Sequence, residues 1–377
     1  MKKLPFREYH LVTLLDDYSG QTLPLDVFIH HYFRAHKALG SKDRGFIAES
    51  AYRLIRWKAL LEYLNGNGAS WQIHLEKLNE IDLDDLKNQE EIPIEIRASF
   101  PKVLFDLIVK SWGPEKAYEL CLTSNSPAPT TVRVNTLKIS RDDLLKKWQD
   151  LYDVSATKKS PYGIIFHKKI NFFQLEDFKS GLFEVQDEGS QLLAQLLQVL
   201  PGQQILDYCS GSGGKSLAFA PFLQGKGQIY AHDVRPHALL EARKRFKRAG
   251  VQNSQIIQAD SPHLAKLKKK MDWVLVDAPC SGTGTLRRNP DMKWKFDSET
   301  LPRLIGLQRN IFEKALSYLH PKGRIVYATC SILRDENQDQ LEHFLKTYQL
   351  EIDSEPFQSI PEINNMDGFF GVVLKRA

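Results

Sequence analysis

Disulfide and zinc chemistry have little to work with in this chain. Its 377 residues include four cysteines, none in C-x-x-C spacing and none accompanied by a histidine cluster. A disulfide scaffold is excluded on that count, and no metal site is expected. Long apolar runs are also missing. No stretch approaches about 18 uninterrupted apolar residues, so no membrane span is expected. The start, Met1-Lys2-Lys3-Leu4-Pro5-Phe6-Arg7-Glu8, is broken by charge and lacks the core of a signal peptide. Neither an internal repeat nor a low-complexity tract is evident. The expectation is a cytoplasmic, monomeric protein with free thiols. The excess of positive charge is small, +5. It is compatible with a nucleic-acid partner without requiring one.

What is present divides along the chain. Residues 1–125 read as an all-helical domain. Phe46, Ile47, Leu54, Ile55, Trp57, Leu60 and Leu61 recur at helical intervals, and Asn65-Gly66-Asn67-Gly68 ends the run. Arg44, Arg53 and Arg56 line a polar face, either solvated or in contact with RNA. Ser124-Asn125-Ser126-Pro127-Ala128-Pro129 signals a linker. Residues 126–186 then read as a small α+β domain. Residues 187–377 alternate strand and helix, which implies an α/β, doubly wound parallel sheet with right-handed crossovers.

The cofactor site lies at the first turn of that sheet. The strand Gln203–Asp207 runs into Cys209-Ser210-Gly211-Ser212-Gly213-Gly214-Lys215, and an apolar helix follows. A glycine-rich turn between strand and helix brings backbone amides close to a ligand. Gly214-Lys215-Ser216 matches the end of a Walker loop, but Ser210 stands where its first glycine belongs. A nucleoside triphosphate therefore stays open on this turn alone. The next strands end at Asp233, Asp260 and Asp277, as the first ends at Asp207. An acid some 20–25 residues beyond the glycine turn suits a ribose diol. The series forms a polar rim that suits S-adenosylmethionine, with its ribose and cationic centre, better than a phosphate chain. A helix N-cap is the alternative role for any single aspartate.

Two further turns carry the chemistry. Asp277-Ala278-Pro279-Cys280-Ser281-Gly282 follows one apolar strand, and Thr329-Cys330-Ser331 follows another. Ligands of open α/β sheets sit at such carboxyl ends. Thiols there, one beside a carboxylate, point to covalent chemistry on an electrophile. Cys121 reads as a core residue and Cys209 as packing rather than catalysis. Arg287, Arg288, Lys293 and Lys295 surround Trp294, a pattern of cations and an aromatic suited to RNA. A solvated basic loop is the alternative.

These motifs, with Arg287-Arg288-Asn289-Pro290-Asp291, Val185-Gln186-Asp187-Glu188 and Asp367-Gly368-Phe369-Phe370, resemble the Sun family of RNA cytosine-5 methyltransferases. The resemblance covers nearly all of residues 130–377. More loosely, Asp43-Arg44-Gly45-Phe46-Ile47 and Tyr52 to Arg56 resemble the accessory domain of the family's bacterial members that modify small-subunit ribosomal RNA. The resemblance implies a seven-stranded sheet with an antiparallel last strand, and S-adenosylmethionine as methyl donor. It assigns the attacking thiolate to Cys330, product release to Cys280 and contact with the cytosine edge to Asp277. It implies RNA as partner, small-subunit ribosomal RNA first and transfer RNA second. A DNA cytosine-5 methyltransferase would take its nucleophile from a Pro-Cys turn, in the role of Cys280. An RNA-binding assembly factor without turnover is the non-enzymatic alternative. One departure stands out: the family's turn reads Cys-Ala-Ala-Pro-Gly-Gly-Lys, and here Ser212 replaces the proline. Losing that proline implies a freer backbone.

Overall fold

A computed structural model describes residues 4–86, 89–363 and 365–377. The first three residues of the charge-broken start lie outside that set. The described chain forms two compact units, one of residues 1–127 with 285–298, the other of residues 128–284 with 299–377.

The first unit is helical, as its periodicity predicts. The helix Ser41–Arg56 buries Ile47, Ala51, Leu54 and Ile55, and joins Leu11, Leu14, Leu15, Leu60 and Leu61 in one core. Residues 285–298, expected in the catalytic domain, belong to this unit. Lys293 shows why. It is 1% exposed and donates to Arg56 O (2.8 Å), Ser99 O (2.7 Å) and Asn125 Oδ1 (2.7 Å), with its ammonium 4.3 Å from the centre of the Phe100 ring. Three acceptors saturate an ammonium's three donors. Burial pushes its pKa well below the usual lysine range. Trp294 donates to Ile55 O (2.8 Å) and packs on the helical core. Asp291 accepts from Tyr18 Oη, Leu25 N and Lys295 Nζ at 2.9, 3.2 and 2.8 Å.

The second unit holds both sheets. The smaller has order β2-β3-β1-β4, from β1 (Thr130–Val134), β2 (Val154–Ala156), β3 (Gly163–Phe166) and β4 (Phe183–Val185). All its pairings are antiparallel. Trp148, on the helix Arg141–Gln149, is fully buried against Phe166 and Phe183.

The larger sheet comprises β5 (Gln204–Asp207), β6 (Gln228–Asp233), β7 (Ser254–Gln258), β8 (Met271–Asp277), β9 (Leu319–Thr329), β10 (Leu350–Ile352), β11 (Phe357–Ser359) and β12 (Phe369–Arg376). Seven of them run in the order β10-β12-β9-β8-β5-β6-β7. Short β11 pairs with β12 as an eighth strand, which the expected seven did not include. β5 to β9 pair in parallel, and β12 runs antiparallel to β9. Helices cover both faces. Val274, Val276, Ile325 and Tyr327 enter one core, and Trp273, Leu275, Val326 and Ala328 enter the other. Two-sided burial explains why these strands read as continuous apolar runs.

Because Lys293 caps three oxygens inside the helical unit, Lys293→Met should leave them unpaired and cost about 3 kcal/mol or more. Denaturant unfolding monitored by tryptophan fluorescence measures this. A loss below about 1 kcal/mol would contradict the assigned role.

Candidate active site

The site follows from the register of two neighbouring strands. β8 and β9 run parallel, with Asp277 opposite Ala328, and Ala278 N–H donates to Ala328 O (2.8 Å). The chain therefore leaves both strands at the same edge. Cys280 lies three residues beyond Asp277, and Cys330 directly follows Thr329. Their sulfurs stand 3.4 Å apart. The turns are tightly nested. Gly284 N–H donates to Cys330 O (2.9 Å), Gly368 N–H donates to Gly284 O (2.8 Å), and a Cβ at Gly284 would collide with the Gly368 carbonyl.

A proton shared by two thiols this close must favour one of them. The hydrogen bond from Cys280 lowers the Cys330 pKa; burial, Asp277 and Glu336 oppose ionisation, and Lys215 assists it. The same hydrogen bond, reinforced by burial, pushes Cys280 well above the usual thiol range. The two sulfurs are thus unequal, with Cys330 the more readily ionised. Lys215 donates to Asp277 Oδ2 at 2.6 Å. Burial pulls the Lys215 pKa down, but Asp277, with Cys330 and Asp207, outweighs it and the net shift is upward. Lys215 therefore stays cationic beside Asp277.

The glycine turn lies at the carboxyl end of β5. Gly213 takes the left-handed conformation (φ 79°) before the helix Gly214–Phe219. Gly211 N–H donates to Asp233 Oδ2 (2.8 Å). The position that departs from the family's proline is braced instead by a side chain. Arg245 donates to Ser212 Oγ (2.6 Å) and Ser212 O (3.0 Å), and pairs with Glu184 (3.0 Å). The expected gain in freedom is offset by these bonds. Asp233 accepts further bonds from the Arg235 backbone and side chain (2.9 to 3.0 Å). Burial opposes its ionisation, but those bonds hold its pKa below the usual carboxylate range. Asp260 is exposed beyond β7. Cys209 is half-buried, and burial raises its thiol pKa, which fits packing.

Two oxygens test this turn as a cofactor site. Asp207 Oδ1 and Ser210 Oγ are buried and lack a hydrogen-bond partner among the described residues. The other Asp207 oxygen accepts from Ser216 Oγ (2.6 Å). Burial drives the Asp207 pKa up to about 7, against that bond. Orphaned buried acceptors call for donors. The ammonium and hydroxyl groups of S-adenosylmethionine supply them, so the residues fit that donor. No group of three or more metal-ligating side chains that could hold a metal occurs among the described residues.

The basic loop is different. Lys293 and Arg287 are each 1% exposed, so Lys293 spends its ammonium inside the helical unit rather than on a phosphate. Trp294 is half-buried against the helical core, and Arg288 is half-buried. The charge pattern was legible in the sequence, but its burial was not. Arg44, Arg53 and Arg56 likewise donate to protein carbonyls, of Leu39, Leu78 and Arg287. Sequence reasoning also missed Glu336 and Gln308, which lie buried behind the two cysteine turns.

A family model described as 16S rRNA methyltransferase RsmB/F matches residues 194–375. An RsmF/B-like ferredoxin-like domain model matches residues 100–172. A probable ribosomal RNA small subunit methyltransferase B of Synechocystis is 31% identical over 314 residues, 78% of this chain and 70% of that protein. The ribosomal RNA small subunit methyltransferase B of Proteus mirabilis is 30% identical, over 84% of this chain and 77% of its own. The match to the Photorhabdus laumondii protein of that name, at 34% identity, spans 65% of its length. Among solved structures, a methyltransferase homologue from Pyrococcus horikoshii superposes with a TM-score of 0.67 at 27% identity, over 75% of this chain and 98% of its own. By the extent of these matches, the chain belongs to the RsmB/F family of 16S ribosomal RNA methyltransferases, which use S-adenosylmethionine.

Proposed function

We propose that this protein methylates C5 of a cytosine in 16S ribosomal RNA through a covalent bond between Cys330 and C6 of the base. The observation that carries this reading is the paired sulfurs, 3.4 Å apart, beyond the carboxyl ends of two adjacent parallel strands.

S-adenosylmethionine, when bound, supplies an electrophilic methyl group on a sulfonium. Cytosine C5 is too poor a nucleophile to take it unaided. Addition of the Cys330 thiolate to C6 pushes the C5=C6 electron pair toward the ring nitrogen and makes C5 an enamine carbon. Asp277, held by Lys215, is the group assigned to the N3/N4 edge, where it favours the protonated adduct. Once C5 bears the new methyl, its remaining proton passes to a base or water. The C5–H electron pair re-forms C5=C6, and the sulfur–C6 bond breaks to return the Cys330 thiolate. Cys280 S–H is within hydrogen-bonding reach of that leaving sulfur and stabilises it. C5 and C6 are shielded inside a duplex, so the target base must be unpaired or flipped out.

Cys330→Ser is expected to abolish methyl transfer, by on the order of 10⁴-fold. Cys280→Ser should instead accumulate a protein–RNA adduct that survives SDS electrophoresis. Equal residual turnover in both variants would contradict the division of labour.

The proton arrangement predicts a pH effect. In the free protein, alkylation of Cys330 should rise with pH through a midpoint below that of an ordinary thiol. Cys280→Ala removes the stabilising donor, so the midpoint should move to higher pH; peptide mass spectrometry reads the modified site. An unchanged midpoint would refute the assigned proton position.

The brace at Ser212 gives a third expectation. Arg245→Met should weaken S-adenosylmethionine binding, measured by calorimetry, by about 10-fold, the equivalent of one charge-assisted hydrogen bond. Adding Ser212→Pro should restore much of the loss. No change in affinity in the single variant would mean that the brace does not shape the turn.

A further inference from the structure

A fully buried carboxylate behind the two cysteine turns has no part in the chemistry above. Glu336 is 0% exposed. A charge removed from water needs donors to compensate it. Three come from two residues. Ser281 gives its backbone N–H to Oε1 (2.9 Å) and its hydroxyl to Oε2 (2.5 Å), and Gln308 Nε2 donates to Oε1 (2.9 Å).

These donors bracket Cys280. The Ser281 amide is the peptide unit immediately after it. Gln308 Nε2 also donates to Pro279 O (3.0 Å), on the other side. The backbone from which the Cys280 side chain springs is therefore fixed at both ends by one carboxylate and one carboxamide. The same cluster reaches the Cys330 turn. Ser331 Oγ lies 3.2 Å from Ser281 Oγ and 3.0 Å from Thr283 Oγ1, and it accepts from Leu333 N–H at 3.0 Å. Ile332 N–H donates to Thr283 Oγ1 (3.0 Å). Tyr327 Oη donates to Glu336 O (2.8 Å), and Gln340 Nε2 donates to Gln308 Oε1 (2.8 Å). Each part of the clamp is thus itself held.

We propose that Glu336 is a positioning residue that locks the Cys280 turn against the Cys330 turn, so that the Cys280 S–H meets the Cys330 sulfur during release of the methylated base. The proposal rests on the reading that Cys280 serves release. One feature favours a carboxylate over a neutral side chain. Charge-assisted bonds to an amide and a hydroxyl are shorter and stronger than neutral ones. A misplacement of about 1 Å at a reacting group can cost 10²-fold.

Glu336→Gln tests this, because glutamine is nearly isosteric and keeps one acceptor oxygen. Ser281→Ala removes only the hydroxyl bond and serves if the first variant fails to fold, as judged by circular dichroism. Steady-state and single-turnover methylation of 16S RNA would be measured with wild type, both variants and a Cys280→Ser control. The expected result for Glu336→Gln is a fall in kcat of about 10-fold or more. The KM for RNA and the first-turnover rate should stay within about 3-fold, about 0.65 kcal/mol. The SDS-stable adduct should accumulate, with Ser281→Ala showing the same pattern more weakly. Wild-type turnover in both variants would overturn the proposal. So would a parallel loss of first turnover and kcat without adduct, the mark of a merely structural role. If the Cys280→Ser control traps no adduct, the release role of Cys280 fails, and the proposal fails with it.

Discussion

The site depends on the parallel pairing of β8 and β9. Two adjacent strands that end at the same edge deliver Asp277, Cys280 and Cys330 to one place, and a one-residue slip would turn every side chain to the opposite face. The two cores lock that register. Val274 and Val276 with Ile325 and Tyr327 fill one face, and Trp273 and Leu275 with Val326 and Ala328 fill the other. A sheet buried on both faces cannot slip cheaply, and the distance between the sulfurs inherits its precision.

Electrostatics then distinguish two chemically identical groups. Neither cysteine is distinctive by itself. The Cys280 hydrogen bond and the Lys215 ammonium lower the Cys330 pKa, while the same hydrogen bond and burial raise that of Cys280. Lys215 belongs to the helix that follows the glycine turn, so the cation that favours ionisation of Cys330 is carried by the element that frames the glycine turn. Asp207 and Ser210 contribute buried oxygens to that turn, and Arg245 braces it at Ser212.

Much of this was legible in the sequence, where local pattern and final environment agree. The strand-to-turn transitions at Asp207, Asp277 and Thr329, and the helix Pro236–Ala249, follow from apolar runs bounded by glycine, proline and acids. Short β2 and β11, with three residues each, carry too little pattern to be read. The loop around Lys293 was misread because a cluster of cations and an aromatic looks the same whether it faces RNA or fills a core. Only tertiary structure supplies the three oxygens that accept from Lys293. Glu336 was invisible for the converse reason. It lies in Leu333-Arg334-Asp335-Glu336-Asn337-Gln338, a string that reads as exposed, yet Ser281 and Gln308 satisfy it in the interior.

The central claim is that one named sulfur bonds to the base. Its most direct test uses 16S RNA containing 5-fluorocytidine, whose C5 fluorine blocks release after methyl transfer and so arrests the complex. Protease digestion and mass spectrometry would then locate the attached nucleotide. The account predicts a methylated fluorocytidine on the peptide containing Cys330. A nucleotide on the Cys280 peptide, or intact unmodified peptides for both after methyl transfer, would contradict it.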